Sequence, residues 1–197
     1  MTKRIGIYAG TFNPVHAGHV AFALQAMKDA KLDKLYFLPE RRPRHKTGVE
    51  HFAHRVAMLK QAVRPYTKFD VLEFDDVSFT VSRTLPKLHR KLPHSQLVFL
   101  LGSDAAVHLP SWPQASRLLK TSELFVGVRG EHELSEVHTA IANWPQQPKA
   151  CRIIESYAPD VSSHTVREAL RARRYAKGLL ESVVRYSNRH WLYVSLA

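Results

Sequence analysis

Short runs of β-branched and aromatic residues alternate along this chain with longer stretches whose apolar residues recur at helical spacing. The short runs predict strands and the longer stretches predict helices, because the two structures repeat about every 2 and every 3.6 residues. The predicted strands cover residues 4–8, 34–38, 69–74, 96–101, 123–128 and 152–155. The predicted helices cover residues 18–30, 51–63, 80–91, 135–142, 162–173 and 179–188. This alternation predicts an α/β fold, an open parallel sheet with helices on both faces.

The size of the chain favours a single domain over residues 1–197, since domains commonly hold about 100–200 residues. Its longest apolar runs, such as residues 97–101, are far shorter than the roughly 18 residues that cross a bilayer. The first residues enter a strand pattern at once, unlike a signal peptide, and Cys151 has no second cysteine to pair with. We therefore expect a cytoplasmic protein without a membrane partner.

Lysine and arginine, with 29 residues, outnumber aspartate and glutamate, with 17, and the formal net charge is +12. Such a positive field favours anionic partners, either small phosphorylated ligands or the backbone of a nucleic acid. The basic residues are spread along the chain, and no aromatic RNA-binding motif accompanies them. A small phosphorylated ligand is therefore the preferred interpretation, and a nucleic-acid-binding module is the alternative.

The segment between the first strand and the first helix, residues 10–19, reads GTFNPVHAGH. Gly10 suits a tight turn, and the carboxyl end of a parallel strand is where such sheets bind ligands. His16 and His19 are three residues apart, which places both imidazoles on one side of the incoming helix. The free N–H groups at a helix start favour an anion. The segment therefore predicts a phosphate site with two imidazole donors, where Gly18 leaves room for a base or ribose.

Two other interpretations of this histidine pair compete with phosphate binding. Most pairs with this spacing are polar residues near a helix start, and His51 and His54 repeat the spacing without the strand, glycine and proline context. That second pair is predicted to lie on an ordinary helix surface. Zinc fits poorly, since no glutamate follows His16 as in the metalloprotease pattern and one cysteine offers little sulfur ligation.

Residues 10–19 resemble the H-x-G-H signature of nucleotidyltransferases, in the form found in the nicotinate-nucleotide adenylyltransferase family. Further segments resemble that family's motifs in order and spacing. They are PRHK at residues 43–46, RVAML at 55–59, SFTVSRTL at 78–85, GSD at 102–104 followed by Trp112, and VSSHTVR at 161–167. The resemblance spans nearly the whole chain and implies a Rossmann-like fold.

The chain departs from the family's motifs at several positions. Asn13 stands where the family usually has aspartate, and Ala9 replaces one glycine of a pair. Arg44 replaces a proline, Phe79 replaces a tyrosine, and His164 replaces a small hydroxyl residue. None of these changes removes a basic residue that the resemblance assigns to phosphate binding.

The resemblance implies transfer of an adenylyl group from ATP to nicotinate mononucleotide, which yields deamido-NAD and pyrophosphate in NAD biosynthesis. The acceptor phosphate is already an anion, so positioning and charge neutralisation should dominate over base catalysis. The resemblance implies that His16, His19 and Arg167 are catalytic. It also implies that Mg²⁺ is carried on the ATP phosphates, with no metal ligand assigned to the protein.

The resemblance further implies two sets of binding residues. For ATP they are Gly10, Thr11, Phe12, Gly18, His19, Lys46, Gly102, Asp104, Ser162, Ser163 and Arg167. For the acceptor they are His45, Phe79, Thr80 and Trp112, with the Thr80 N–H offered to the nicotinate carboxylate.

Simpler interpretations exist for some of these residues and for the activity. Asp104 could cap the helix that follows it, and Trp112 could be a core residue. Nicotinamide mononucleotide and phosphopantetheine are alternative acceptors, and a noncatalytic nucleotide sensor is an alternative of another class.

Overall fold

A computed structural model describes residues 2–43, 46–155 and 160–194 of the chain. The described residues form one sheet of six parallel strands, in the spatial order β3-β2-β1-β4-β5-β6. The strands are β1 Lys3–Gly10, β2 Lys34–Pro39, β3 Phe69–Val71, β4 Ser95–Gly102, β5 Glu123–Val128 and β6 Cys151–Glu155. All six predicted strands are therefore confirmed, and the predicted fold class with them.

Helices connect the strands and close the described part of the chain. They are α1 Ala17–Asp29, α2 Phe52–Val63, α3 Thr84–Lys91, α4 Ser103–His108, α5 Ala115–Thr121, α6 Glu131–Ala142, α7 Ser163–Arg171 and α8 Glu181–Arg189, with a 3₁₀ turn at Leu109–Ser111. Within residues 2–43, 46–155 and 160–194, none of these helices is long and apolar enough to span a membrane.

The central strands β1, β4 and β5 are buried on both faces, because their side chains point alternately to the two sides of the sheet and helices cover both sides. Along β4, Val98 and Leu100 pack into one hydrophobic cluster, and Leu97 and Phe99 pack into the other. The first cluster is completed by α1, α2, α7 and α8, and the second by α3, α4, α5 and α6. This two-sided burial explains why the strands read as nearly continuous apolar runs in the sequence.

The strand order reverses direction between β1 and β4, which are neighbours in the sheet although two strands separate them in sequence. The connections from β1 and β4 leave towards opposite sides and open a crevice at their carboxyl ends, which is where open α/β sheets bind ligands. Residues 10–19 follow β1, and Gly102 and Asp104 lie at the end of β4. The topology therefore brings these two candidate segments to one edge.

Several segments differ from the sequence-based prediction. Helix α3 begins at Thr84 and not at residue 80, and α6 begins at Glu131 and not at residue 135. The strand predicted at 69–74 ends at Val71, and two carboxylates that follow it pair with lysines of helices: Glu73 with Lys60, and Asp75 with Lys87. The joint predicted around residues 110–113 contains a 3₁₀ turn between two short helices, α4 and α5, that the sequence did not predict. Pro110 lies in the first turn of that segment, where a missing N–H costs nothing.

Candidate active site

The histidine pair, His16 and His19, lies at the start of α1. His16 is the residue before the helix, with an extended backbone, and His19 lies in the first turn. The His16 N–H donates to Nδ1 of His19 across 3.2 Å, and the two ring centroids are 3.7 Å apart. The two imidazoles therefore converge, as their spacing predicted.

Burial keeps both imidazoles uncharged. Removal from water, with the nearby positive charge of Arg129, lowers the pKa of His16 to about 3. The pKa of His19 is also well below its ordinary value, mainly because of burial and then because of His16, Arg129 and Lys46. At neutral pH each ring is therefore a neutral donor, and the cationic charge of the site comes from arginine and lysine.

A pocket of about 90 Å³ opens beside the histidine pair. Its walls are Tyr8, His16, Gly18, His19, Phe22, Gly102, Gly127, Arg129 and Val161. A Cβ atom built on Gly18 would lie 3.0 Å from Nδ1 of His16, so the absence of a side chain at Gly18 makes room for that ring. Gly18 also lines the pocket, and its predicted role beside a base or ribose stays a prediction.

Arg129 is a pocket residue that the sequence-based prediction missed. It follows β5, lines the pocket with the histidine pair, and lowers the pKa of both imidazoles by its charge. No residue directly after the fifth strand was among the predicted site residues. A signal was present nevertheless, because a basic residue directly after a strand stands at the ligand-binding edge of a parallel sheet.

A second pocket, of about 160 Å³, is lined by the other part of the 10–19 segment and by two candidate cations. Its residues are Thr11, Asn13, Lys46, Thr47, Val49, Ser163 and Arg167. Nζ of Lys46 donates to the Thr11 hydroxyl at 3.1 Å, and Nη1 of Arg167 donates to the Asn13 carbonyl at 2.8 Å. Both cations are therefore held beside the segment that carries the histidine pair.

The residues at the start of α7 have local partners. Ser162 caps the helix, because its hydroxyl accepts the Thr165 N–H at 3.2 Å. The Ser163 hydroxyl donates to the Pro14 carbonyl at 3.0 Å and so ties α7 to the segment before α1. This contact, together with that of Arg167, explains how a motif some 150 residues later reaches the first loop.

The side chain of Phe12 belongs to the hydrophobic core. It is 2% exposed and packs edge-on against the rings of Tyr8, His19 and Phe37. The ATP contact predicted for Phe12 can therefore be made only by its backbone. Its ring packs against the His19 imidazole.

Of the predicted acceptor residues, Phe79 and Thr80 lie before α3, and Trp112 lies between the 3₁₀ turn and α5. The rings of Phe79 and Trp112 are 6.0 Å apart, and both are partly buried. The Thr80 N–H already donates to the Thr84 hydroxyl at 3.1 Å. This contradicts the prediction that the Thr80 N–H is offered to a nicotinate carboxylate. The Phe79 N–H donates to Oε1 of Glu40 at 3.2 Å. Predicted residue His45, like Arg44, lies outside the described residues.

The residues at the end of β4 are accessible. Gly102 is exposed and lines the pocket beside the histidine pair. A Cβ atom built on Gly102 meets no described atom within 4 Å. Asp104 is exposed in the first turn of α4. The carboxylate of Asp104 can therefore interact favourably with the positive end of that helix and remain accessible to a ligand.

A buried guanidinium holds the loops around these pockets. Arg55 of α2 is 1% exposed, and it donates to backbone carbonyls only: Glu50 at 2.9 Å, Thr11 at 2.6 Å, Glu40 at 2.8 Å and Arg41 at 2.9 Å. One side chain thus joins the loops that follow β1 and β2.

The comparisons with known proteins agree with this geometry. Residues 7–169 match the cytidylyltransferase-like family. The nicotinate-nucleotide adenylyltransferase of Bacillus subtilis is 31% identical over 202 residues, which cover 98% of this chain and 100% of that protein. Nicotinic acid mononucleotide adenylyltransferase of Plasmodium falciparum, solved with NaAD, is 19% identical and superposes with a TM-score of 0.74 over 97% of each chain. The same enzyme solved with APC gives 0.73 over 97% of each chain at 18% identity.

The parallel sheet with an open crevice, the converging imidazoles and the surrounding cations define a nucleotidyltransferase. Within that class the chain belongs to the nicotinate-nucleotide adenylyltransferase family.

Proposed function

We propose that this protein transfers AMP from ATP to nicotinate mononucleotide, forming deamido-NAD and pyrophosphate. The observation that carries the proposal is the convergence of His16 and His19, with rings 3.7 Å apart, at the ligand-binding edge of the sheet. The Bacillus subtilis relative, which matches over almost the full length of both chains, supports the choice of acceptor.

In this reaction an oxygen of the acceptor phosphate attacks the α-phosphorus of ATP. A bond forms between that oxygen and phosphorus, the bond from phosphorus to the α–β bridging oxygen breaks, and pyrophosphate leaves with that electron pair. The attacking group is already an anion at neutral pH, so no side chain has to remove a proton. Catalysis then rests on alignment and on stabilising charge that develops on the phosphate oxygens.

The histidine pair suits this role because its rings are neutral. Neutral imidazoles donate N–H groups to phosphate oxygens without the solvation that a buried imidazolium would need. Arg129, Lys46 and Arg167 line the two pockets and supply the positive charge that the triphosphate and the departing pyrophosphate require. Catalytic roles therefore fall on His16, His19 and Arg167.

Mg²⁺ is proposed to arrive with ATP and to stay on its phosphate oxygens. Among the described lining residues of the two pockets there is no carboxylate, and the charged side chains are cations. This donor set fits a metal held by the substrate and water, which is a common arrangement for Mg²⁺ with nucleotides. When bound, the metal neutralises part of the triphosphate charge.

The acceptor is proposed to bind next to Phe79 and Trp112. Their rings are 6.0 Å apart, beside Phe99 of β4, and offer aromatic faces for a pyridine ring. Gly102 has open space above it for the nucleotide, and Asp104 is placed to accept hydrogen bonds from a ribose hydroxyl.

One observation favours a second candidate acceptor, nicotinamide mononucleotide. The carboxylate of Glu40 occupies the Phe79 N–H, so a negative charge stands beside the proposed ring site. A second carboxylate would be repelled there, whereas a carboxamide could donate a hydrogen bond to Glu40. Nicotinate mononucleotide remains the first candidate because of the family relationship.

Pyrophosphate release tests the proposal directly. Purified protein is incubated with Mg-ATP and, separately, with nicotinate mononucleotide, nicotinamide mononucleotide and phosphopantetheine. The expected result is the highest kcat/KM with nicotinate mononucleotide. A higher kcat/KM with either of the other two acceptors overturns the acceptor assignment. If the protein binds ATP but releases pyrophosphate with none of the three acceptors, it is a nucleotide sensor. Tight, salt-sensitive binding of DNA or RNA would instead support a nucleic-acid-binding module.

A further inference from the structure

Tyr193, near the end of the described chain, makes a buried hydrogen bond to the segment that carries the histidine pair. Its hydroxyl donates to Oδ1 of Asn13 at 2.9 Å, and both residues are only 5% exposed. The two residues are 180 positions apart in sequence. The C-terminal segment after α8 thus reaches the residue three positions before His16.

The backbone around Tyr193 adopts an uncommon conformation. Trp191 has φ of 53° and Tyr193 has φ of 61°, in the left-handed region that bulky side chains seldom adopt. Each such residue costs on the order of 1 kcal/mol and persists only where surrounding contacts hold it. The bond between Tyr193 and Asn13 is one of these contacts.

Asn13 also forms hydrogen bonds with the loop of residues 46–50, which we call the Lys46 loop. Oδ1 of Asn13 also accepts the Glu50 N–H at 3.2 Å, and Nδ2 donates to the Gly48 carbonyl at 3.4 Å. Tyr193 grips the same loop directly, because its N–H donates to Oε1 of Glu50 at 3.3 Å. The Lys46 loop is therefore fastened at two residues by Asn13 and Tyr193.

The hydroxyl of Tyr193 acts as a donor in this arrangement. Burial and the nearby carboxylate of Glu50 raise the pKa of Tyr193 above its ordinary value, so the phenol stays protonated. The donated proton requires the oxygen of the Asn13 amide to face Tyr193, which leaves the NH₂ group for Gly48. The whole set of hydrogen bonds around Asn13 then has one consistent orientation.

Both cations of the second pocket depend on the same segment. Lys46, at the start of the loop, donates to the Thr11 hydroxyl, and Arg167 donates to the Asn13 carbonyl. A shift of Asn13 would therefore move the carbonyl that orients Arg167 and release the loop that carries Lys46. These are two of the three cations proposed above to neutralise the triphosphate and the departing pyrophosphate.

We propose that Tyr193 is a positioning residue for ATP: by fixing Asn13 it holds the Lys46 loop and Arg167 in place around the triphosphate. The inference deepens the proposed function and rests on it for the identity of the nucleotide. Tyr193 itself contacts no reacting atom. Its hydroxyl acts only through Asn13, whereas its backbone N–H contacts Glu50.

The test is Tyr193→Phe, which removes the hydroxyl and keeps the ring that fills the core. The affinity for a non-hydrolysable ATP analogue is measured by calorimetry, and KM is measured for ATP and for the acceptor. We expect the Kd for the analogue and the KM for ATP to rise about tenfold, as the loss of one buried hydrogen bond allows. The KM for the acceptor should change less than about twofold, because the contact faces the triphosphate side.

Tyr186→Phe is the matched control. Tyr186 lies in α8, and its hydroxyl is 3.0 Å from Nδ1 of His54, away from both pockets. This variant loses a comparable tyrosine hydrogen bond, so it should lower the unfolding temperature to a similar extent and leave the Kd for the analogue unchanged. An unchanged Kd in Tyr193→Phe, or an equal rise in both variants, overturns the proposal.

A double-mutant cycle tests the route through Asn13. If Tyr193 acts through Asn13, adding Tyr193→Phe to Asn13→Ala should raise the Kd by less than about twofold further. Additive effects would contradict this route. The calorimetric measurement needs no acceptor. If the wild-type protein binds the analogue but does not react with nicotinate mononucleotide, the proposed reaction is refuted, and the role of Tyr193 in binding the analogue is still tested.

Discussion

The His16 N–H donates to Nδ1 of His19 across 3.2 Å, and this bond determines how the second imidazole is protonated. A neutral imidazole that accepts at Nδ1 carries its proton on Nε2. His19 therefore has one nitrogen engaged in capping α1 and the other available as a donor. The same residue has a structural and a chemical function, and the two can be separated by substitution.

The variants His19→Asn and His19→Ala separate the structural function of His19 from its chemical function. Asparagine can supply an acceptor oxygen close to the position of Nδ1 and so keep the cap, but it lacks the distal donor. We expect both variants to lose about 10²-fold or more in kcat, since a donor to developing charge is removed. Only His19→Ala should also lose about 1 kcal/mol of unfolding free energy, because it alone loses the cap. Pyrophosphate release and thermal unfolding measure the two effects.

His51→Ala is the control for this pair of variants, because His51 is an exposed residue before α2 with no side-chain capping bond in the described structure. Its turnover should match that of the wild type. Wild-type turnover in His19→Ala would exclude His19 from the mechanism.

Much of the fold could be predicted because its signals are local. The alternation of apolar runs located all six strands, and the H-x-G-H segment located the histidine pair. Helices α4 and α5 were missed because six and seven residues hold fewer than two turns of periodicity. His54, predicted to lie on an ordinary helix surface, instead lies 3.0 Å from the Tyr186 hydroxyl.

The unpredicted parts of the site depend on tertiary structure. Arg129 joins the histidine pair only because β5 lies next to β4 in the sheet, and sequence order does not determine that placement. Tyr193 meets Asn13 across 180 residues, and no periodic pattern marks either residue. The side chain of Phe12 is buried in the core, and its own φ of 48° lies in the left-handed region, which no sequence pattern marks.

Glu40→Gln tests the acceptor preference. Glutamine keeps an oxygen to accept the Phe79 N–H and removes the negative charge beside the proposed ring site. We expect the ratio of kcat/KM for nicotinate mononucleotide to that for nicotinamide mononucleotide to rise about tenfold, since a like charge is removed from the acid alone. The measurement is pyrophosphate release with each acceptor at saturating Mg-ATP.

Glu73→Gln is the control for charge alone, because Glu73 pairs with Lys60 on the surface. It removes the same negative charge, and the acceptor ratio should stay that of the wild type. An unchanged ratio in Glu40→Gln would show that Glu40 does not face the acceptor ring.

Arg55→Lys tests whether the buried guanidinium organises the loops around the site. Four backbone carbonyls from two loops receive its N–H groups, and one ammonium cannot reach all of them. Unpaired buried carbonyls should cost about 2–4 kcal/mol of unfolding free energy. The KM for ATP should rise as well, because Thr11 and the Lys46 loop lose their common anchor. Chemical denaturation and steady-state kinetics measure the two effects.

Arg64→Lys makes the same chemical change at an exposed residue directly after α2. It should alter the unfolding free energy by less than about 0.5 kcal/mol. If Arg55→Lys is equally mild, the carbonyls around Arg55 do not need the guanidinium.

The stability of the protein should fall in weak acid because of the histidine pair. In the unfolded chain a histidine binds a proton below about pH 6.5, whereas His16 in the folded protein does so only near its pKa of about 3. The unfolded state therefore gains protons first as the pH falls, and the stabilising preference for neutral His16 is lost progressively from about pH 6.5 towards pH 3. His19, whose pKa is also lowered by burial, contributes in the same direction.

Each such group adds a slope of up to about 1.4 kcal/mol per pH unit. Denaturant unfolding between pH 6.5 and 5, above the range where most carboxylates titrate, should show this slope in the wild type. His16→Gln should reduce it, because the variant has no imidazole to protonate in either state. His132→Gln replaces an exposed imidazole of α6 and should leave most of the slope in place. Equal slopes in the wild type and His16→Gln would mean that His16 is readily protonated in the folded protein, and neutral-donor chemistry at the histidine pair would then be wrong.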